Sequence, residues 1–320
     1  MLQNTSLSVN IKERLDFSCA VFDEQGRLVA NAPHIPVHLG AMGESVQTVL
    51  RLRRETLKTG DVIVLNNPYN GGTHLPDVTV ITPVFDEAGG EVLFFVASRG
   101  HHADIGGITP GSTPPVSHTL EEEGVVLDNF LLVDGGHFRE AEFRDVLASA
   151  TYPARSPDVN VADIKAQIAA NEKGAQELRA VIARYGRDAV QRYMAHVMDN
   201  AEESVRRVID RIGDGAFAYT MDDGSPLRVA ISVDRTARSV TVDFTGTGKQ
   251  RGDNFNAPRA VTRAAVLYVF RCLVGSDIPL NDGCLKPIRL VIPPGTFLSP
   301  EPGAAVVAGK LNAYSIAEML

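Results

Sequence analysis

The 320-residue sequence predicts an α+β fold with a β-rich N-terminal part, a central pair of long helices and a second, smaller β-containing part. Three observations predict this fold. Short apolar runs typical of strands dominate residues 1–100, apolar residues recur at helical spacing over 158–212, and alternation returns after Leu227. The three parts are expected to span residues 1–155, 156–213 and 214–320.

The first part is predicted to consist mainly of strands. Residues 17–23 and 28–30 flank a turn, which indicates a hairpin. Residues 41–55 form the first predicted helix, because their apolar side chains fall roughly on one face. Three further apolar runs predict strands, over residues 61–65, 78–81 and 92–96.

In the rest of the chain, the spacing of apolar residues changes twice, from helical to alternating and back to helical. The two central helices are expected to break near Tyr185 and Gly186, with Asp188 capping the second. Alternating residues over 228–233 and 240–244 then predict another hairpin, and a third helix is expected over about 260–273.

Composition excludes several classes of protein. The net charge is −8 and no long basic cluster occurs, which argues against nucleic acid or an anionic membrane as partner. No apolar run reaches the length of a membrane span, and the N-terminus lacks the pattern of a secretory signal. Cys19, Cys272 and Cys284 have no metal-site spacing, so we expect free buried thiols in a reducing cytoplasm.

Two clusters of potential metal ligands lie beside predicted strands. The first pairs His74 with Asp77, and the second contains His101, His102 and Asp104. Imidazole nitrogens and carboxylate oxygens suit Zn²⁺ or Mn²⁺. Because a rigid sheet can hold two strand ends together, the pattern indicates a metal-centred enzyme.

Earlier residues offer additional ligands. Asp16 and Glu13 are placed in an early strand, where they would point to opposite faces, so we expect only one of them to reach the metal. His34 and His38 are interpreted as residues that pack a loop. The alternative is that they hold the metal ligands in position without binding the metal.

Glycine pairs adjoin both ligand clusters. They are Gly71, Gly72, Gly106 and Gly107. Glycine adopts positive φ readily, so these pairs, with Arg99, are candidates for an anion-binding concavity; ordinary tight turns are the alternative. The acidic run over 121–123 predicts a solvated turn.

Two familiar catalytic signatures are incomplete or missing. Residues 245–249 resemble part of a phosphate loop, but Asp243 and Gln250 break the required spacing. No Gly-x-Ser-x-Gly elbow occurs in the sequence, which weakens a serine hydrolase. The chain alone is therefore not expected to bind ATP through such a loop.

Several motifs together resemble the hydantoinase B/oxoprolinase family, whose members include N-methylhydantoinase, 5-oxoprolinase and the related acetone and acetophenone carboxylases. The resemblance extends over most of the chain. The strongest matches are residues 10–20 (NIKERLDFSCA), 67–77 (NPYNGGTHLPD) and 99–107 (RGHHADIGG), followed by 110–112, 243–247 and 278–284.

The resemblance implies a division of labour. A hydantoinase A-type subunit or domain binds ATP and phosphorylates the oxygen of a small lactam or hydantoin, such as 5-oxoproline. The B-type part holds a metal that lowers the pKa of water. The family's ligands carry over onto His74, Asp77 and one of His101 or His102, with Asp16 or Glu13 as the early carboxylate.

Two residues are candidates for catalysis beside the metal. Asp104 is expected to orient a ligand histidine or act as a base, and His102 is the second candidate. Two other functions stay open. One is a component of an ATP-dependent ketone carboxylase, and the other is a shortened, non-catalytic subunit that binds the A-type partner.

The two ends differ from the family pattern. The usual helical lead-in and the usual continuation are short here, so we expect a chain shortened at both ends and incomplete at its C-terminus. Residues 304–308 predict an apolar strand that needs a neighbour. Because an unpaired apolar edge favours association, the chain is expected to form an oligomer or to require its partner.

Overall fold

The larger of two sheets runs through the first half of the molecule. The computed structural model describes residues 1–32, 35–275 and 278–320. The strands of this sheet are β1 Phe17–Asp23, β2 Leu28–Asn31, β3 Val62–Leu65, β4 Asp77–Phe85, β5 Val92–His101, β6 Phe130–Asp134 and β7 His137–Phe138. They lie in the spatial order β2-β1-β5-β4-β3-β6-β7, and each neighbouring pair is antiparallel.

Helices cover this sheet and connect it to the second sheet. Their bounds are α1 Leu2–Thr5, α2 Val9–Lys12, α3 Pro36–Arg53, α4 Glu140–Ser149, α5 Pro157–Tyr185, α6 Arg187–Ile209, α7 Arg259–Val274 and α8 Asn312–Met319. Shorter 3-10 turns lie at Pro68–Asn70, Leu120–Glu123, Asp282–Leu285 and Gly309–Leu311.

The larger sheet is buried on both faces. Strand side chains alternate between faces, so Ile63 and Leu65 pack in a cluster with α3, whereas Val62 and Val64 pack in a cluster with α4 and α5. Because β3 has an apolar cluster on each side, all four of its residues are buried. The sheet is therefore a rigid layer between α3 on one face and α4 and α5 on the other.

The second sheet has its own core. Its strands are β8 Gly215–Thr220, β9 Pro226–Asp234, β10 Ser239–Asp243 and β11 Ile288–Val291, in the order β11-β10-β9-β8. Only the β10–β11 pair is parallel within this sheet. Side chains from α6 and α7 pack on it, including Val205 and Phe270.

The α+β class, the two predicted hairpins and the central helical pair are confirmed. Gly186 separates α5 from α6 at φ 82°, a conformation that glycine adopts without steric cost. Some details of the prediction are wrong. The first helix begins at Pro36 rather than residue 41, and Gly186 rather than Asp188 occupies the N-cap of α6. Two short helices precede β1, so Glu13 follows a helix instead of lying in a strand.

The predicted strand over 304–308 is also wrong. Residues 304–307 are buried without forming a strand, although Ala304 makes an isolated bridge to Thr119. The N–H groups of Val306 and Val307 donate to Glu123 Oε1 at 2.9 and 3.0 Å. These donors are thus satisfied internally, which removes the unpaired edge on which the expectation of association rested.

Glu123 itself corrects the prediction of a solvated acidic turn. Its side chain is buried and also accepts a hydrogen bond from Ser117 Oγ at 2.9 Å. Burial raises the pKa of Glu123 from 4.5 to about 7, although the N–H groups of Val307 and Val306 act in the opposite direction. This carboxyl group ties the segment around Val306 to the loop that follows β5.

The raised pKa of Glu123 predicts a pH dependence of stability. The folded chain holds this proton more tightly than the unfolded chain, so the stabilisation is complete below pH 4.5 and is lost as pH rises through about 7. Each unit of pKa difference between the folded and unfolded chain corresponds to about 1.4 kcal/mol. As the pH rises from below 4.5 to above 7, the free energy of unfolding should therefore fall by about 3 kcal/mol relative to Glu123→Gln, in which position 123 does not titrate. Urea unfolding of both chains at pH 5 and pH 8 measures this difference; parallel pH profiles would contradict it.

The cysteines are free thiols, but their burial differs from the prediction. Cys284 is buried and Cys19 is half-buried, whereas Cys272 is exposed on α7. Among the helices in the described ranges, none has the length and apolar character needed to cross a membrane.

Candidate metal centre

The sheet register brings three predicted ligands to one place. Asp77 is the first residue of β4 and lies opposite His101, the last residue of β5. Asp16 immediately precedes β1 on the other side of β5, and its carbonyl accepts the His101 N–H at 3.0 Å. Since β1, β5 and β4 are neighbours, their ends converge. The Nδ1 atom of His101 lies 3.3 Å from Asp77 Oδ1 and 3.5 Å from Asp16 Oδ2.

The loop before β4 supplies His74. Its Nδ1 lies 2.7 Å from Asp77 Oδ2, and its ring centroid lies 5.0 Å from that of His101. Gly71 has φ 93°, and a Cβ there would approach the Ser45 nitrogen to 2.3 Å. Only glycine allows the loop to pass this close to α3, so the Gly71 turn serves the placement of His74.

Three buried atoms at this point make no hydrogen bond of good geometry among the described residues, although the two imidazole nitrogens lie 2.7 and 3.3 Å from Asp77 oxygens. They are His74 Nδ1, Asp77 Oδ1 and His101 Nδ1. Buried polar atoms without a well-formed hydrogen bond are costly, and here all three belong to one group of residues whose ligand atoms lie within 4.8 Å of one another. Two imidazole nitrogens and a carboxylate oxygen are the donors that Zn²⁺ and Mn²⁺ accept. The residues fit a divalent metal.

The protonation states also suit metal binding. Burial lowers the pKa of His74 to about 4, so its imidazole is neutral at neutral pH. Burial alone would raise the pKa of Asp77, but the imidazoles of His74, His38 and His101 hold it well below its usual range. Metal ligands must be deprotonated, and both side chains already are.

A fourth histidine joins the cluster from α3. His38 Nε2 lies 3.3 Å from Asp77 Oδ2 and 3.8 Å from Asp16 Oδ1, and Ser18 Oγ lies 3.3 Å from its Nδ1. The interpretation of His38 as a loop-packing residue is therefore wrong, because it is buried in a helix against the two carboxylates. His34, which was interpreted in the same way, lies outside the described residues.

The structure separates the two adjacent histidines. His101 belongs to the ligand group, whereas His102 contacts two side chains of α5: Gln167 Oε1 at 3.1 Å from its Nε2, and Asn160 Nδ2 at 3.0 Å from its Nδ1. Successive residues point to opposite sides of an extended chain, so only one of the pair can face the cluster. Burial lowers the pKa of His102, which also keeps this imidazole neutral.

Asp104 lies in the loop beyond the cluster. Its carboxylate accepts the N–H groups of Gly106 and Gly111 and pairs with Arg155 at 2.8 Å. These contacts organise the loop. They leave Asp104 outside both groups with metal-ligand geometry, which are His74, Asp77 and His101, and Asp16, His38 and Asp77. Glu13 is exposed and also lies outside them.

Arg99 and the glycine pairs hold the loops around the ligand group in place. Arg99 is fully buried and donates to Thr79 Oγ1, Ser45 Oγ and the Gly71 carbonyl at 2.7 to 2.9 Å. Added Cβ atoms at Gly72, Gly106 and Gly107 would come within 2.2 to 2.6 Å of backbone oxygens. These contacts bring loops together around the ligand group, so the four predicted glycines and Arg99 are engaged by the protein itself.

A cavity of about 410 Å³ opens onto the ligand group. Asp16, His38, His74 and Asp77 line its inner end. Its other walls come from the start of α3, from α7 and from α8, and are largely apolar. Lys310 also lines the cavity, with Nζ 3.3 Å from His74 Nε2. Sequence reasoning missed Lys310, since it lies 236 positions from His74 in a segment without a recognisable motif.

The family can now be assigned. The family model described as Hydantoinase B/oxoprolinase matches residues 1–319. The chain belongs to the hydantoinase B/oxoprolinase family. The expectation drawn from the motifs is confirmed.

Curated relatives and solved structures agree with the family assignment. The chain is 48% identical to "5-oxoprolinase 1" of Arabidopsis thaliana and 46% identical to "5-oxoprolinase" of Saccharomyces cerevisiae, each over 97% of its length. It spans 26% and 25% of those two proteins, about a quarter of each. The ATP-dependent caprolactamase of Pseudomonas jessenii shares its fold with a TM-score of 0.82 at 24% identity, covering 94% of this chain and 52% of that one.

A ketone-converting enzyme has the same fold. The nucleotide-free structure of an acetone carboxylase superposes with a TM-score of 0.83 at 17% identity, covering 97% of this chain and 43% of that one. The fold of the hydantoinase B/oxoprolinase family is thus found in proteins named for different reactions.

Proposed function

We propose that this chain is the metal-holding B-type component of an ATP-dependent cyclic-amide hydrolase, acting on a small lactam or hydantoin such as 5-oxoproline. The observation that carries the proposal is the buried group of His74, Asp77 and His101, whose ligand atoms lie within 4.8 Å of one another. The names of the curated relatives supply the reaction class, since relatives at 46 to 48% identity are called 5-oxoprolinases.

In this proposal His74, Asp77 and His101 hold one Zn²⁺ or Mn²⁺, and Asp16 contributes the early carboxylate. A divalent metal at this position would supply Lewis-acid chemistry to a substrate oxygen or to water. His38 orients the Asp77 and Asp16 carboxylates from the α3 side, as its distances of 3.3 and 3.8 Å support.

The adjoining cavity supports a small substrate. A volume of about 410 Å³ lies within the range of small-molecule sites, and its apolar walls can pack against the methylene groups of a lactam ring. The polar inner end then faces the amide group of the ring. The cavity also excludes bulk water from part of the substrate, which strengthens electrostatic contacts at the inner end.

ATP dependence is assigned to a partner. The sequence contains no complete phosphate loop, and the structurally similar caprolactamase is named as ATP-dependent. We propose that a hydantoinase A-type subunit or domain binds ATP and activates the amide oxygen by phosphorylation. The two components then act in one complex.

Turnover with and without the partner tests this proposal. The chain alone should neither hydrolyse ATP nor open 5-oxoproline, and adding an A-type subunit should produce both activities together. Product formation is followed by chromatography, and ADP release is followed in parallel. Ring opening by the chain without nucleotide would contradict the assignment and would indicate a simple metal-dependent amidohydrolase.

The same assay separates the alternatives. Incorporation of bicarbonate into a ketone, with no opening of any lactam, would favour a ketone carboxylase. The chain shares its fold with an acetone carboxylase. A chain that binds an A-type subunit but contains no metal would favour a non-catalytic subunit. Metal content therefore distinguishes the hydrolase and the carboxylase from a non-catalytic subunit.

A further inference from the structure

We propose that Lys310 and the Nε2 edge of His74 form a binding pair for an anionic oxygen of the substrate. The inference rests on the proposed function and assigns to this cavity a chemical class of ligand. The ligand is an oxyanion, supplied either by a carboxylate on the ring or by the phosphoryl group of an activated amide.

Lys310 is an isolated cation in a mainly apolar cavity. It is half-buried and, within the described part of the chain, has no carboxylate within 4 Å to pair with. Its neighbour is the His74 ring, with Nζ 3.3 Å from Nε2. A partly desolvated ammonium group without a counterion favours an anionic ligand.

The two nitrogens of His74 face different partners. Nδ1 lies in the ligand group beside Asp77, while Nε2 faces Lys310 and the cavity. A neutral imidazole carries one proton, so an Nδ1 lone pair that binds a metal leaves the proton on Nε2. Lys310 has donors only. With a metal on Nδ1, Lys310 Nζ and His74 Nε2 would both be donors, and one oxygen of a substrate anion could accept from both, since the two nitrogens lie 3.3 Å apart.

The backbone around Lys310 is held in place. Gly309 N donates to the Val306 carbonyl at 2.9 Å, and a Cβ at Gly309 would lie 1.8 Å from the Asn256 oxygen. The side chain of Asn312 donates to the Phe255 carbonyl at 2.6 Å. This 3-10 turn therefore carries Lys310 on a packed support, which fixes its backbone at the cavity, and the contact with His74 Nε2 places its ammonium group there.

The other described residues that line the cavity offer no positive charge to an anion. Its walls near α7 and α8 include Ala264, Ala265, Ala313 and Ala317, which offer no charge to an anion. The remaining charged groups at the inner end, Asp16 and Asp77, repel anions. Among the described residues that line the cavity, Lys310 is thus the cationic group that can select a substrate with a negative charge over a neutral lactam of the same size.

Calorimetric titration of the metal-loaded chain tests the pair. The probes are 5-oxoproline, the neutral analogue 2-pyrrolidinone, and inorganic phosphate. Lys310→Met should weaken binding of at least one anion by about tenfold or more, while Lys310→Arg keeps most of it and 2-pyrrolidinone binds all variants alike. Loss for 5-oxoproline alone identifies the ring carboxylate, and loss for phosphate alone identifies the phosphoryl group.

A matched control and a metal measurement complete the test. Lys249→Met removes an exposed lysine from the incomplete phosphate-loop motif and should leave both anion affinities unchanged. Unchanged affinities in Lys310→Met, with normal metal content, would overturn the anion pair alone. Wild-type chain that takes up no metal would instead count against the proposed function.

Discussion

Replacing His74, Asp77 or His101 by alanine should remove most of the divalent metal from the purified chain. Each substitution deletes one of three residues whose ligand atoms lie within 4.8 Å of one another. An incomplete ligand shell loses most of its affinity, and the affected chain should also lose lactam turnover in the presence of its partner. Elemental analysis after dialysis against trace Zn²⁺ or Mn²⁺ measures the first effect.

Two histidines outside the ligand group provide the controls for this experiment. His102→Ala should retain the metal, because His102 is held by Gln167 and Asn160 rather than by the ligand group. His137→Ala removes an exposed histidine on β7, at the far edge of the sheet, and should retain it as well. Equal metal contents in His101→Ala and His102→Ala would contradict the site.

Arg99→Met should produce the largest loss of stability among single substitutions at the scaffold of the site. The guanidinium group is fully buried and donates to Thr79, Ser45 and the Gly71 carbonyl. Methionine preserves apolar volume but leaves these partners unsatisfied, at about 1–3 kcal/mol for each unpaired group. We expect a total of about 3–5 kcal/mol, measured by urea unfolding.

An exposed arginine gives the comparison for Arg99. Arg187 pairs with Glu91 on the surface, and Arg187→Met should cost less than about 1 kcal/mol. Because Arg99 bonds the Gly71 carbonyl, its loss should also weaken metal retention by the loop that carries His74. A loss of stability below 1 kcal/mol in Arg99→Met would show that the guanidinium group is not part of the support.

Local patterns in the sequence were sufficient for much of this architecture. The break at Gly186 follows from a helical period interrupted by a glycine, and the hairpin of β1 and β2 follows from apolar runs around a turn. His74 and Asp77 were recognisable because ligand-type residues three apart follow a glycine turn. These features depend on residues close together in the chain, where spacing constrains geometry.

Other features depend on contacts between distant segments. The choice between His101 and His102 required the direction of each side chain in β5, and the choice between Asp16 and Glu13 required the start of β1. His38 reaches the carboxylates only because α3 packs against the sheet. Glu123 is an acidic residue in a charged run, yet it is buried by a segment 183 positions away.

Anomalous diffraction from crystals grown with Mn²⁺ tests the central claim most directly. We predict one strong peak within about 2.3 Å of His74 Nδ1, an Asp77 oxygen and His101 Nδ1, at the distances usual for such ligands. The same crystals of His101→Ala should show no peak there. An absence of any peak beside these three residues in the wild-type chain, or a peak bound only by residues elsewhere, would contradict the account.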